Sequence, residues 1–255
     1  MSRLVTLLAA SLLAGWTLSS AAIAAPATGR IRNIVLVHGA FADGSGWLAV
    51  ANILLKDGYK VSIVQEPETS LADDVAATNR VLNALSGPAV LVGHSYGGAI
   101  ITEAGNNAHV ASLVYVAALV PDEGEQLGHL LGTMPAAAAN DIKPTPDGYL
   151  LVDPAKFPSD FAADLPLAEA KFMAISQVPL NAGIFATPIT TPAWKTKPSY
   201  GIVATKDLMI NPNLERWMYQ RAHAPVTEVF GNHAVFMSQP RAVAKVIERA
   251  AMGGD

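Results

Sequence analysis

Cysteine is absent from this chain of 255 residues. Its absence excludes disulfide bonds, thiolate metal sites and cysteine nucleophiles. Charge is also scarce, since Asp, Glu, Lys and Arg together make up 15% of the chain and the formal net charge is −4. The lysines and arginines are scattered and form no basic stripe, so we expect no nucleic-acid partner.

The N-terminal residues have the pattern of a secretory signal peptide. Arg3 precedes an uncharged apolar run from Leu4 to Leu18, and small residues end the segment at Ala22-Ile23-Ala24. The run is too short to span a bilayer comfortably, and we expect cleavage after Ala24 or Ala25. Residues 1–24 are therefore predicted to be removed, which places the protein in the periplasm or outside the cell with no membrane partner.

A tight turn is predicted where an apolar run breaks at Gly93-His94-Ser95-Tyr96-Gly97 and a helical pattern follows. A serine on such a strand-to-helix turn has strained backbone angles, and only small residues on either side let strand and helix approach closely. The turn exposes the hydroxyl above the sheet, next to the free N–H groups that begin the helix. We interpret Ser95 as a nucleophile.

Strand and helix patterns alternate through residues 25–255, which predicts one α/β domain with a doubly wound, mostly parallel sheet. Ile34 to Val37 is a continuous apolar run, as expected for a strand that is buried on both faces. Similar runs precede Ser95 and recur at residues 61–64, 110–116, 201–204 and 226–230.

The alternation stops between about residues 122 and 197, where proline, alanine and scattered phenylalanine dominate. We interpret this segment as a lid that covers Ser95 and contains a few short helices, for example at residues 160–176. Its large apolar side chains are candidates either for a substrate pocket or for the core of the lid. They are Met134, Phe157, Phe161, Phe172, Met173 and Phe185.

A serine hydroxyl needs a neighbouring base to remove its proton during attack. His233 is the best candidate, because it lies in a loop between the last predicted strand and a helix that begins near Pro240. The base in turn needs a carboxylate that fixes its tautomer. We assign this role to Asp207, which follows the predicted strand at residues 201–204, and keep Asp122 as the alternative.

Two backbone N–H groups are needed to bind the oxyanion. One belongs to Tyr96, directly after the nucleophile, and the other to the loop after the first strand, where we choose Ala40 and keep Phe41 as the alternative. His38 and His94 lie beside these positions. Together with Phe41 they are candidates for substrate contact, although packing is an equally good role for both histidines.

These motifs resemble those of the α/β-hydrolase family over nearly all of residues 25–255. The pairing of Leu36-Val37-His38-Gly39-Ala40 with Val92-Gly93-His94-Ser95-Tyr96-Gly97-Gly98 is similar to the branch that contains plant methylesterases, hydroxynitrile lyases and small bacterial esterases. The lyases of that branch carry threonine at the position of Gly39 and lysine at that of Ala234, so an esterase is expected here. We expect the first two antiparallel strands of the family to be absent here, so the resemblance implies an α/β-hydrolase sheet of about six strands.

The sequence therefore predicts a cofactor-free serine hydrolase that cleaves small or medium uncharged carboxylic esters through an acyl-enzyme. The same triad would also serve lactone or amide cleavage. A protein that binds a small ligand without turnover remains an alternative. A dinucleotide-dependent reductase fits poorly. Its Gly-x-Gly-x-x-Gly motif needs a third glycine at position 49, and the glycine-rich loop at residues 39–46 is followed there by Ala49.

Overall fold

A computed structural model describes residues 30–253 of the chain. The predicted signal peptide at residues 1–24 lies outside the described residues and stays a prediction. Within the described range, no helix combines the length and apolar character needed to cross a membrane.

Strands and helices alternate along the first half of the described chain, as the sequence predicts. The strands are β1 (Asn33–Val37), β2 (Lys60–Ile63), β3 (Ala89–His94), β4 (Val110–Val116), β5 (Ile142–Pro144), β6 (Tyr149–Val152), β7 (Leu180–Asn181), β8 (Ser199–Ala204) and β9 (Val226–Val229). The helices are α1 (Leu48–Lys56), α2 (Leu71–Asn83), α3 (Gly97–Ala104), α4 (Leu127–Thr133), α5 (Phe157–Asp160), α6 (Leu167–Ile175), α7 (Pro212–Arg221), α8 (Val235–Ser238) and α9 (Pro240–Ala251).

The main sheet has six strands in the order β2-β1-β3-β4-β8-β9, and every neighbouring pair is parallel. The predicted α/β class and strand number are confirmed. Alternate residues of β1 face opposite layers of the core, with Val35 and Val37 in one layer and Ile34 and Leu36 in the other. Helices on both sides cover the inner strands, which explains why β1 and β3 are continuous apolar runs.

The lid lies between β4 and β8 and was predicted to contain short helices. It contains α4, α5 and α6, and it also holds a three-stranded antiparallel sheet in the order β5-β6-β7, which the sequence did not predict. The predicted helix at residues 160–176 is also two helices, α5 and α6, separated by a short loop. The three strands have 3, 4 and 2 residues, which is too short for an alternating pattern to be recognised.

The turn between β3 and α3 is as tight as its sequence predicts. Ser95 has a φ of 55°, a left-handed conformation that costs a non-glycine residue free energy. A Cβ atom on Gly93 would lie 2.5 Å from the carbonyl oxygen of Gly97, and one on Gly97 would collide with the carbonyl oxygen of His38. Any side chain at these glycines would therefore push β1, β3 and α3 apart.

We predict that Gly97→Ala lowers the free energy of unfolding by about 1–3 kcal/mol, because the added methyl group overpacks backbone atoms that have little room to move. Chemical denaturation measures this change. Gly132→Ala is the matched control, since a Cβ there meets nothing within 4 Å. That helical position should gain up to about 0.5 kcal/mol from better helix propensity. Equal stability of the two variants would contradict the close-approach argument.

Candidate active site

Ser95, His233 and Asp207 form one continuous hydrogen-bonded chain at the carboxyl ends of the sheet strands. Ser95 Oγ lies 2.8 Å from Nε2 of His233, and Nδ1 of His233 lies 2.6 Å from Oδ2 of Asp207. A neutral imidazole with its proton on Nδ1 satisfies both contacts, so the hydroxyl donates to Nε2 and Nδ1–H donates to the carboxylate. All three residues are buried, with Ser95 the most exposed at 8%.

The loop after β8 donates two main-chain hydrogen bonds to the Asp207 carboxylate. Its Oδ1 accepts hydrogen bonds from the N–H groups of Met209 at 2.7 Å and Ile210 at 2.9 Å. These two donors and His233 fix the position of the Asp207 carboxyl group. The alternative acid, Asp122, is instead paired with Lys195 at 2.5 Å and does not contact His233.

A second buried carboxyl group lies against Asp207. Glu215 on α7 is fully buried, and its Oε2 accepts a hydrogen bond from the N–H of Ala204 at 3.2 Å. Burial and the neighbouring Asp207 carboxyl raise the pKa of Glu215 well above its ordinary value. Two buried carboxylates in contact repel each other, so we expect Glu215 to hold a proton at neutral pH.

The ring of His233 is fixed by its neighbours on two sides. Phe161 from the lid packs edge-on against it, with ring centroids 4.7 Å apart and an interplanar angle of 84°. His94 lies 4.7 Å from it on another side. The His233 main chain is also held, because its N–H donates to Oδ1 of Asn232 and its carbonyl accepts from Nε2 of His94 at 2.9 Å.

Neither His38 nor His94 reaches the pocket that contains Ser95. His94 is completely buried behind His233, and burial, with the nearby His233, lowers its pKa well below the ordinary value. Its role here is therefore packing and a hydrogen bond as a neutral imidazole. Of the three residues predicted for substrate contact, the structure places only Phe41 on the pocket wall.

Ala40 and Tyr96, whose amides are predicted to bind an oxyanion, line the same pocket as Ser95. Among residues 30–253, the N–H groups of Ala40 and Tyr96 donate no hydrogen bond to another residue. The N–H of Phe41 is instead engaged by Oε2 of Glu68 at 3.4 Å. Of the two alternatives in the loop after β1, only the Ala40 amide is thus free to bind a substrate oxygen.

The pocket next to Ser95 is apolar and encloses about 410 Å³, including open solvent at its mouth. Within residues 30–253, no Asp, Glu, Lys or Arg side chain lines it. The lid contributes Leu127, Leu131, Ile142, Phe161 and Phe185, and the sheet loops contribute Leu119, Met209 and Ile210. Phe172 and Met173 line a neighbouring outer pocket, whereas Phe157 is buried in the lid core and stacks on Phe161.

Buried acidic groups surround the loop after β1. Burial alone would lower the pKa of His38, but its contact with the Glu66 carboxylate and its hydrogen bond to the Gly39 carbonyl leave that pKa above the ordinary value. Burial raises the pKa of Glu68 to about 9, and nearby carboxyl groups add to the rise. Although acidic, these groups form no metal site, since no group of three or more His, Asp or Glu side chains in the described range is arranged to hold an ion.

Glu68 and Glu215 are residues of the site region that sequence reasoning did not identify. Glutamates are rarely fully buried, so residue type alone favours a solvated surface position for both. Position 215 does carry a signal, because it follows Leu214 and precedes Met218 and Tyr219 on the buried face of α7. Glu68 lies in a loop, where no periodic pattern could indicate burial.

Comparisons with known proteins agree with this fold. The family model described as "Alpha/beta hydrolase family" matches residues 34–246. The carbendazim hydrolyzing esterase of Nocardioides sp. (strain SG-4G) is 33% identical over 114 residues, which cover 39% of this chain and 47% of that protein. The match therefore spans about half the length of this curated relative.

Two solved structures share the fold over most of their length. A pyrethroid hydrolase from Sphingobium faniae JZ-2 has a TM-score of 0.73 at 23% identity, and the match covers 86% of this chain and 96% of that one. A methylesterase from Arabidopsis has a TM-score of 0.72 at 18% identity, with 86% and 98% covered.

We predict that Glu68→Gln stabilises the protein increasingly as the pH rises from 5 to 9. A carboxyl group whose folded pKa is about 9 keeps a proton that the unfolded chain releases, so stability falls through this window. Removing that group should raise the free energy of unfolding at pH 7 by up to about 3 kcal/mol.

Urea denaturation at pH 5, 7 and 9 measures this effect. The exposed Glu123→Gln is the matched control and should leave the pH dependence unchanged. If the stability difference between Glu68→Gln and the wild type were the same at all three pH values, Glu68 would not be protonated in the native state.

Proposed function

The chain belongs to the alpha/beta hydrolase family, and we propose that it is a serine hydrolase that cleaves small or medium-sized uncharged carboxylic esters through an acyl-enzyme. The observation that carries this proposal is the hydrogen-bonded chain from Ser95 through His233 to Asp207 beside an apolar pocket. In this reaction, side chains and amides of the protein carry out every step without a cofactor.

In the first half of the reaction, Ser95 Oγ attacks the ester carbonyl carbon while its proton moves to Nε2 of His233. The imidazolium that forms is stabilised by the Asp207 carboxylate, which keeps its hydrogen bond to Nδ1–H. The developing oxyanion accepts hydrogen bonds from the N–H groups of Ala40 and Tyr96. His233 then gives the proton to the departing alcohol, and the acyl group stays on Ser95.

In the second half, water takes the place of the alcohol. His233 accepts a proton from the water as its oxygen attacks the acyl carbon, and the same two amides stabilise the second oxyanion. Collapse of the intermediate returns the proton to Ser95 and releases the carboxylic acid.

The substrate class follows from the pocket. An apolar wall without charged side chains favours an uncharged acyl group, because a charge would lose its hydration without gaining a partner. The names of the relatives support the same class, since they include an esterase, a pyrethroid hydrolase and a methylesterase. Lactones are chemically close to these esters and belong in the same screen.

We predict that Ser95→Ala lowers hydrolysis of p-nitrophenyl butyrate by at least roughly ten-thousandfold without unfolding the protein, because the nucleophile is lost. A fluorophosphonate probe should label the wild type on the peptide that contains Ser95. Labelling should disappear in Ser95→Ala and fall steeply in His233→Ala.

Ser86→Ala is the matched control, since Ser86 is exposed in a turn before β3. It should retain both labelling and turnover. A folded wild-type protein that the fluorophosphonate does not label would contradict the proposal and favour a ligand-binding protein without turnover.

We further predict that Phe185→Ala shifts the substrate preference towards esters with longer acyl chains. The half-buried Phe185 side chain of the lid lines the pocket and restricts the space for an acyl chain. The ratio of kcat/KM for octanoate over butyrate p-nitrophenyl esters should rise about tenfold, as expected for a few additional buried methylene groups. Leu55→Ala, an exposed apolar position on α1, should leave the ratio unchanged. An unchanged ratio in Phe185→Ala would show that acyl groups bind elsewhere.

A further inference from the structure

The two amides assigned to the oxyanion belong to different segments of the chain. Ala40 lies in the loop after β1, and Tyr96 begins the helix after β3. Oxyanion binding requires both N–H groups at hydrogen-bond distance from one oxygen, so the two segments must be held in register to a fraction of an ångström. Sheet pairing of β1 with β3 ends at Val37 and Gly93, before either amide.

Asp74, in the first turn of α2, connects both segments. Its Oδ2 accepts a hydrogen bond from the Tyr96 hydroxyl at 2.6 Å, and its Oδ1 accepts one from the N–H of Glu68 at 2.8 Å. The side chain of Glu68 in turn accepts from the N–H of Phe41, the residue after Ala40. One carboxylate thus lies between the segment of Tyr96 and the segment of Ala40.

Burial makes these contacts rigid. Asp74 and Glu68 are completely buried, and Tyr96 and Phe41 are each 4% exposed. In such surroundings water cannot replace a lost partner, so each hydrogen bond is strong and its loss destabilises the folded protein. Burial raises the pKa of Asp74, and the hydrogen bonds from Tyr96 and Glu68 oppose that rise.

Backbone strain at the same place is an independent observation. Five non-glycine residues in the described range have positive φ, and three of them are Phe41, Glu68 and Ser95, at 66°, 54° and 55°. Such conformations cost about 1–3 kcal/mol each and persist only where surrounding contacts hold them. The hydrogen bonds of Asp74 and Glu68 supply contacts of this kind at two of the three residues.

We propose that Asp74 is a positioning residue of the oxyanion hole, which acts through Tyr96 on one side and through Glu68 and Phe41 on the other. The proposal rests on the serine hydrolase function proposed above. Asp74 touches no reacting atom, and its effect is to fix the distance between the amides of Ala40 and Tyr96. Those amides bind the oxyanion more strongly than the ground-state carbonyl, so the effect falls on kcat.

The test compares kcat and KM for p-nitrophenyl butyrate in the full-length wild type and in Asp74→Asn. Asparagine has nearly the same shape but one acceptor oxygen, so it can serve only one of the two donors. We expect kcat to fall about 10- to 100-fold, which is less than the roughly 100- to 1,000-fold loss for removal of one oxyanion donor because both amides remain, with KM within about twofold of the wild type. Affinity for a trifluoromethyl ketone, which forms an oxyanion on Ser95, should fall in proportion.

The neighbouring residue provides a matched control. Asp73 is exposed, and its carboxylate contacts only the hydroxyls of Thr69 and Ser70. Asp73→Asn should keep kcat within about twofold of the wild type, since its hydrogen bonds lie outside the oxyanion hole. A second variant, Tyr96→Phe, keeps the amide of residue 96 and removes only the hydroxyl that donates a hydrogen bond to Asp74. We expect kcat to fall in this variant too.

The outcomes separate this proposal from the proposed function. An active wild type with unchanged kcat and ketone affinity in both Asp74→Asn and Tyr96→Phe would overturn the positioning role, even if both variants melted at lower temperature. If Asp74→Asn does not fold, the kcat of Tyr96→Phe decides alone. A wild type that neither hydrolyses the ester nor takes a fluorophosphonate label would overturn both proposals together.

Discussion

The close approach of three backbone segments around Ser95 is the constraint on which the rest of the site depends. β3 turns into α3 through a single residue of positive φ, and a Cβ atom on Gly97 would collide with the carbonyl of His38 in the neighbouring loop. Added side chains here would separate the serine from the loop after β1. The small residues at this junction let Ser95, Ala40 and Tyr96 line one pocket.

Several polar groups are buried around this junction, and their partners differ. Asp207 receives three hydrogen-bond donors, whereas its neighbour Glu215 receives one and has a strongly raised pKa. The rings of His94 and His233 are adjacent, but His233 meets a carboxylate and His94 meets a main-chain carbonyl. Burial makes these partners decisive, because water cannot replace them.

The lid contacts the residues of the site in addition to covering it. Phe161 packs against the His233 ring, and its carbonyl accepts the N–H of Ala234. The main chain of Glu68 likewise accepts from Asn181 in β7. The pocket beside Ser95, the ring of His233 and the loop that contains Glu68 therefore all contact one inserted segment.

The amino-acid sequence by itself determined the elements whose signal is local. The apolar run of β1 and the glycines around Ser95 each act within a few residues, so the sheet class and the turn could be predicted. The order of Ser95, Asp207 and His233 along parallel strands also placed them at one sheet edge, because parallel strands end on the same side.

Only the tertiary structure decided which groups are buried and what they contact. Asp73 and Asp74 are adjacent aspartates in one helical turn. Asp73 is exposed, whereas Asp74 is buried and bonded to Tyr96 and Glu68, because of the two only position 74 faces the core. The choice of Ala40 over Phe41 as the free amide likewise depends on Glu68, which is 27 residues away in the sequence. Such contacts arise from packing between distant segments, and no local pattern of apolar or turn residues encodes them.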